Sequence, residues 1–364
     1  MRNRLYEHQF CFILVMIAMA DIFAVGVLWN VYGSSVWAAF FFAIPLGALV
    51  AWMWFGLMSR KGSIFAAFGG ERIKWLGAAA SWAYGVYFVV FAGLALSIYG
   101  AFVSEGSLIE TSPSVFVAPL AAVAVYGAAK GERAIGRAAV IFGSVLALAI
   151  LISAIFAISL GEDAALYPIA GDDSESMVRA VAFVVLIQFG EMASAASFIG
   201  RVEKRKTWPA VAGAVGGCLV LGLFAMGSAM AAGHTSFMDQ EPFYRGAAEV
   251  AAVLSSMKVW ATAAYLFGAV FRAAVNILSA SECFCILAKG NAVKKAVIPI
   301  GAAAFVLSIV MPDSFFETDG FFLGPYLYIA AVMTVILPLL ASAVSAAVCL
   351  YRRHKNLQRR RSSL

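Results

Sequence analysis

The sequence predicts an all-α polytopic membrane protein with about ten transmembrane helices. Of its 364 residues, 63% are hydrophobic and only 13% are charged. The mean hydropathy of +0.90 is too high for a soluble domain, which could not bury that much apolar surface. Apolar stretches of about 20 residues can cross the hydrocarbon core of a bilayer as helices. Ten such spans are predicted, the fourth of them short: 9–29, 35–58, 77–103, 114–129, 138–160, 179–200, 208–231, 259–288, 293–311 and 322–350.

The ten spans divide into two halves of five, which fits a 5+5 inverted repeat within one integral membrane domain, residues 1–364. The first repeat covers about 9–160, the second covers about 179–350, and a basic tail follows at 351–364. In such folds corresponding helices of the two repeats are broken near the midplane of the membrane, where they hold small solutes. Spans one and six therefore correspond to each other and are the first places to look for a site.

The first span has features of a secretory signal peptide. Two arginines precede an apolar run, and the triplet Ala18-Met19-Ala20 resembles a cleavage site. The apolar run continues past Asp21 as far as Trp29, which favours a retained transmembrane helix.

Charge predicts the orientation of the chain. The N-terminus, alternate loops and the tail contain 22 of the 26 basic residues, whereas the other loops contain 13 of the 20 acidic residues. The positive-inside rule then places both termini in the cytoplasm. Topology and attraction to anionic lipid headgroups account for the basic tail, so no nucleic-acid partner is expected. The five cysteines and three histidines show no metal-ligand spacing, no cofactor is expected, and no catalytic motif indicates an enzyme.

Polar residues near the middle of span six indicate either a binding site or a structural ion pair. Gln188, Gly190, Glu191 and Ser194 lie there within an apolar stretch. A carboxylate at this depth is costly unless it faces a partner, a cavity or a ligand. Asp21 lies equally far into span one. Glycines near the two carboxylates, Gly26 and Gly190, are the expected points where the helices break.

Span eight adds a second set of polar residues at membrane depth. Arg272, Asn276, Ser279 and Cys283 recur at helical spacing, so they should face the interior of the bundle. One interpretation pairs Arg272 with Glu191 or with Glu282 as a brace, and the other makes these residues part of a ligand site. The candidate ligand-binding residues are Asp21, Gly26, Gln188, Gly190, Glu191, Ser194, Arg272 and Asn276.

Four segments carry a resemblance to a known family. In the first, Glu110-Thr111-Ser112-Pro113 leads through an apolar stretch to Tyr126-Gly127-Ala128-Ala129-Lys130-Gly131-Glu132-Arg133-Ala134-Ile135-Gly136-Arg137. The others are Tyr167-Pro168-Ile169 with Phe189-Gly190-Glu191, Pro242 with the helix-like stretch that leads to Trp260, and Ile336-Leu337-Pro338-Leu339-Leu340. In order and spacing they resemble the spore germination permease family, the GerAB-like B subunits of nutrient germinant receptors, within the amino acid–polyamine–organocation superfamily.

That resemblance implies a LeuT-like fold in which helices one and six are broken. It also implies a nutrient-sensing subunit in the spore inner membrane, a small-molecule ligand such as an amino acid, and two partners, a membrane-bound A subunit and a lipoprotein C subunit. The superfamily also contains amino acid and polyamine symporters, so transport is the alternative function. A scaffold without ligand binding is a third. Asp21 departs from the family pattern, in which a small or apolar residue is expected.

Overall fold

The structure, a computed structural model, is almost entirely helical in the part of the chain that it describes. The described residues are 5–70, 73–106, 112–160, 166–167, 174–204, 206–232, 251–286, 292–311 and 322–344. The basic tail, most of the Pro242 stretch, and parts of the motifs at 110–113 and 167–169 lie outside them. Extended pairing among the described residues is confined to one bridge between Leu5 and Val202.

The described residues contain nine helices long and apolar enough to cross a membrane, and a shorter tenth, Ser114–Lys130. The short fourth span is therefore confirmed. Seven spans are unbroken helices: Val36–Lys61, Lys74–Gly106, Pro113–Lys130, Glu132–Leu160, Trp208–Ala232, Ala251–Phe284 and Ala292–Val310. A five-residue helix, Ile64–Phe68, lies between spans two and three, and the Ser63 side chain caps its N-terminus.

Span one is broken, but at a different point from the one predicted. It consists of Glu7–Met19 and Ile22–Tyr32, and the break falls at Ala20 and Asp21. Gly26 lies inside the second helix, so the expectation that it marks the break is wrong. A glycine lowers helix stability by about 1 kcal/mol relative to alanine and permits a break without forcing one. The break falls instead at the residue whose buried side chain forms an ion pair.

Span six changes helix type three times. The α-helix Ser174–Val184 is followed by a π-helix, Val185–Phe189, a second α-helix, Gly190–Ala196, and a 3₁₀ helix, Ser197–Arg201. Single-turn π-helices are common at functional sites because they redirect side chains and free backbone groups. This irregular segment contains Gln188, Gly190 and Glu191, so the sequence placed the irregularity of span six correctly.

Span ten, Gly324–Val344, is also irregular and packs against span six. Its π-helix Val332–Ile336 contains Thr334, and a Cβ added to Gly190 would lie 2.8 Å from the Thr334 Cγ2 atom. Glycine at 190 is therefore required by close contact between the two spans. The indole Nε1 of Trp54 donates a hydrogen bond to the Thr334 carbonyl at 2.8 Å, which holds span two against the same π-helix.

Spans one and six occupy the centre of the bundle. Their most apolar windows are 83% and 89% buried, compared with 22% for spans nine and ten. Glycines in span seven permit close packing against span one: a Cβ on Gly213 would lie 2.7 Å from the Cys11 carbonyl oxygen. The buried position of spans one and six places their polar residues away from lipid.

Candidate functional site

Three charged side chains from three spans meet at the centre of the bundle. Arg272 of span eight donates from Nη1 to Asp21 Oδ1 at 2.9 Å, and its Nη2 pairs with Glu191 Oε1. The side chains of Arg272, Asp21 and Glu191 are 3%, 0% and 1% exposed. We refer to these three residues as the central triad. It contains two carboxylates for one guanidinium, so it carries one negative charge when all three groups are ionised.

The local structure explains how each member reaches the centre. Asp21 lies at the break in span one, and Glu191 is the second residue after the π-helix of span six. Arg272 lies in the interior face of span eight, where Asn276, Ser279 and Cys283 are also buried, as predicted. A buried arginine needs hydrogen-bonded counter-charges, and two carboxylates supply them here.

Aromatic side chains surround the central triad. The hydroxyl of Tyr326 in span ten donates to Glu191 Oε1 at 3.3 Å. The Arg272 guanidinium carbon lies 5.6 Å from the ring centre of Phe23 and 6.0 Å from that of Phe91, within cation–π range. No sequence pattern singles out these three aromatic residues, because nothing distinguishes them among 29 phenylalanines and 12 tyrosines.

Several buried polar atoms in spans one, six and eight have no hydrogen-bond partner among the described residues. They are both amide atoms of Gln188, Asp21 Oδ2, Glu191 Oε2 and Arg272 Nε. Gln188 is 1% exposed. A buried polar group without a partner costs about 1–3 kcal/mol, and native proteins contain few of them. This set supplies donors and acceptors that can bind a small polar molecule.

The remaining candidate residues lie near the central triad without belonging to it. The Ser194 hydroxyl donates to the Glu191 carbonyl at 3.0 Å, and Ser279 of span eight donates to the Ser194 carbonyl at 2.8 Å, which ties span six to span eight. Asn276 is buried one helical turn beyond Arg272, and Gly26 lies in the helix that follows Asp21.

The proposed pairing of Arg272 with Glu282 is wrong. Glu282 Oε1 lies 2.5 Å from Arg201 Nη1, and the same nitrogen lies 3.2 Å from Glu132 Oε2. Ten residues separate Arg272 from Glu282 on one helix, or about 15 Å along its axis, so the two side chains act at different depths. Of the two partners that the sequence suggested for Arg272, Glu191 is confirmed. The pairing with Asp21 was not foreseen.

The fold is shared with known transporter structures. MhsT in complex with L-phenylalanine superposes with a TM-score of 0.65 at 15% identity, covering 92% of this chain and 89% of that chain. Mhp1, a nucleobase-cation-symport-1 family transporter in a closed conformation with bromovinylhydantoin bound, gives 0.56 at 13% identity over 91% of this chain and 78% of that chain. At these identities the likeness shows the LeuT fold alone, which confirms the predicted fold class.

Comparison of sequences identifies the family. Curated protein sequences gave no match to this chain. The family model described as spore germination protein (Spore_permease) matches residues 4–232, more than half of the chain. The matched region contains Asp21 and Glu191, whereas Arg272 and Tyr326 lie beyond it. The family and the two structural neighbours are permeases or transporters rather than enzymes. The chain belongs to the spore germination protein family, as its motifs implied.

Proposed function

We propose that this protein is the membrane B subunit of a spore nutrient germinant receptor, which binds a small nutrient such as an amino acid and helps to trigger germination. Membership of the spore germination protein family supports the role in germination. The protein would lie in the inner membrane of the spore with both termini in the cytoplasm. Its partners would be a membrane-bound A subunit and a lipoprotein C subunit.

The observation that supports ligand binding is the set of unpartnered polar atoms that spans one, six and eight contribute at the centre of the bundle. An amino acid has an ammonium group, which the free oxygens of Asp21 and Glu191 can accept. It also has a carboxylate, to which the Gln188 amide and Arg272 Nε can donate. The net negative charge of the central triad favours a ligand that brings a positive group. The L-phenylalanine bound to MhsT, on the same fold, supports an amino acid as the ligand class.

Calorimetric titration of the purified protein, alone and with its A and C partners, with a panel of amino acids tests this proposal. At least one amino acid should bind, and Gln188→Leu should weaken that binding tenfold or more, because it removes a donor and an acceptor. Ser228→Ala is the control. Ser228 is also buried, but its hydroxyl donates to Phe224 within span seven. Equal affinity in both variants would remove Gln188 from the site, and no binding of any amino acid would leave a scaffold as the better description.

A transporter is the alternative function. The shared fold with Mhp1, which is described as a transporter, favours it. Protein reconstituted in vesicles should show counterflow of the bound amino acid if it transports, whereas a sensor binds without appreciable uptake. Normal germination by spores that lack the A and C partners would also count against a receptor subunit.

The orientation has its own test. In a background without the native cysteines, Asp172→Cys should react with an impermeant thiol reagent added outside, and Lys204→Cys should not. The reverse pattern would place the termini outside.

A further inference from the structure

A groove lies between the end of span two and the start of span seven, away from the central triad. It has a volume of about 360 Å³, and Arg60, Lys206 and Thr207 contribute its polar side while Trp52 and Trp208 contribute its apolar side. We refer to it as the basic groove. Span two ends at Lys61 and span seven begins at Trp208, so the basic groove lies where both helices leave the membrane.

The two tryptophans indicate the depth of the basic groove. Trp52 and Trp208 are 59% and 73% exposed. Tryptophan is enriched at membrane–water interfaces, where its ring sits at the headgroup level. Trp52 precedes Arg60 by eight residues, about 12 Å along the helix. Trp208 and Arg60 therefore mark the headgroup end of the groove, and Trp52 lies about 12 Å further into span two.

The two basic side chains provide charge for an anion at the headgroup level. Arg60 and Lys206 are both exposed, and neither has an ion-pair partner in the part of the chain that the structure describes. The planar guanidinium of arginine presents several N–H donors in a geometry that matches phosphate oxygens, and lysine adds a point charge. The apolar side of the groove, next to these two cations, is complementary to a molecule with an anionic phosphate and a hydrocarbon chain.

We propose that the basic groove binds one phospholipid with a net anionic headgroup. Its phosphate lies between Arg60 and Lys206, and one acyl chain runs past Gly56 and over Trp52. The groove has room for that chain, because a Cβ added to Gly56 would meet no atom within 4 Å. This site is separate from the central triad and does not depend on the proposed nutrient site.

Two kinds of variant test the groove independently. Arg60→Gln with Lys206→Gln removes its charge, and Gly56→Leu fills it while leaving the charge unchanged. The control for the charge variant is Lys61→Gln with Lys204→Gln, which removes two charges from the same segments. The control for Gly56→Leu is Gly216→Leu in span seven, because a Cβ on Gly216 also meets no atom within 4 Å. Neither control residue set contributes to the groove.

Native mass spectrometry of the full-length protein in detergent, supplied with phosphatidylglycerol or phosphatidylcholine, provides the measurement. Wild-type protein and both controls should retain one phosphatidylglycerol in preference to phosphatidylcholine. The double charge variant should bind phosphatidylglycerol about thirtyfold more weakly, the effect expected for two basic residues at an anionic membrane surface. Gly56→Leu should lose the bound lipid without a change in charge.

Three results would overturn the proposal. The first is equal retention of the two lipids, and the second is equal loss of phosphatidylglycerol in the controls and in the groove variants. The third is displacement of phosphatidylglycerol by millimolar inorganic phosphate, because that outcome would show a site for free phosphate rather than for lipid.

Discussion

Two clusters in this bundle place an arginine between two carboxylates, and they differ in their access to water. The central triad is almost fully buried. The second cluster, which we call the end triad, joins Arg201 at the end of span six to Glu132 at the start of span five and to Glu282 near the end of span eight. In the end triad the Arg201 side chain is 41% exposed, and the two carboxylates are 19% and 15% exposed.

Because the two clusters differ in exposure, their arginines contribute differently to stability. An ion pair with access to water contributes little, because water can replace either partner. An ion pair without that access is costly to break, because a charge is left buried and unpaired. The central triad must therefore keep its charges matched or receive a ligand that matches them. The end triad is less enclosed and should cost less to open; it joins three spans and lies beside Leu5, whose N–H donates to the Arg201 carbonyl.

The largest effect is expected for Arg272→Met. This change leaves Asp21 and Glu191 buried together without a counter-charge, so stability should fall by about 3–5 kcal/mol. The level of folded protein in membranes and its thermal unfolding in detergent measure the effect. Adding Asp21→Asn and Glu191→Gln removes both carboxylate charges and should restore much of the loss. A wild-type level in Arg272→Met alone would contradict the importance of the buried pairing.

Glu191→Gln should have the next largest effect, mainly on ligand binding. Arg272 keeps its bond to Asp21, so the protein should still fold, but the central triad loses its net negative charge. Loss of a charged hydrogen bond to an ammonium group is worth about 1.5–3 kcal/mol, so affinity should fall at least tenfold. Calorimetry measures it, with Asp21→Asn as the companion variant.

Two outcomes separate the roles of Glu191. If Glu191 is only a brace for Arg272, Glu191→Gln should lower the protein level. Adding both Arg272→Gln and Asp21→Asn, which removes the remaining buried charges, should then partly restore it. Wild-type germination and wild-type affinity in Glu191→Gln would rule out both roles.

Arg201→Gln tests the end triad and should have a smaller effect. Its side chain is 41% exposed, but Glu132 and Glu282 are only 19% and 15% exposed and Glu282 Oε1 is buried, so the loss of stability should be about 1–3 kcal/mol. The same thermal unfolding measurement applies. A loss as large as that of Arg272→Met would show that exposure does not distinguish the two clusters.

The smallest effect is expected for Arg179→Gln. Arg179 pairs with Glu175 one turn away at 2.5 Å, but the two side chains are 70% and 67% exposed. Exposed pairs of this kind contribute about 0.3–0.5 kcal/mol. Unfolding that is indistinguishable from wild type is therefore the expected result, and a clear destabilisation would mean that Arg179 has a partner beyond Glu175.

The number, order and approximate ends of the spans could be predicted from the sequence alone. So could the irregular centre of span six and the inward face of span eight. These features depend on residues near each other in the chain: the length of an apolar run, a polar residue within it, or a helical spacing such as that of Arg272 and Asn276. A local window contains all the information that such features need.

The break in span one and the pairing of the buried charges depend on how the helices pack together. Asp21 and Glu191 share one arginine because spans one, six and eight approach one another at the same depth. Glu282 pairs with Arg201 instead, because it lies about 15 Å from Arg272 along its helix. Depth and rotation of packed helices follow from contacts between distant segments, such as that of Gly190 with Thr334. A buried charge pairs with the opposite charge that those contacts bring within reach. No local sequence pattern encodes the distance between two charged side chains on different helices.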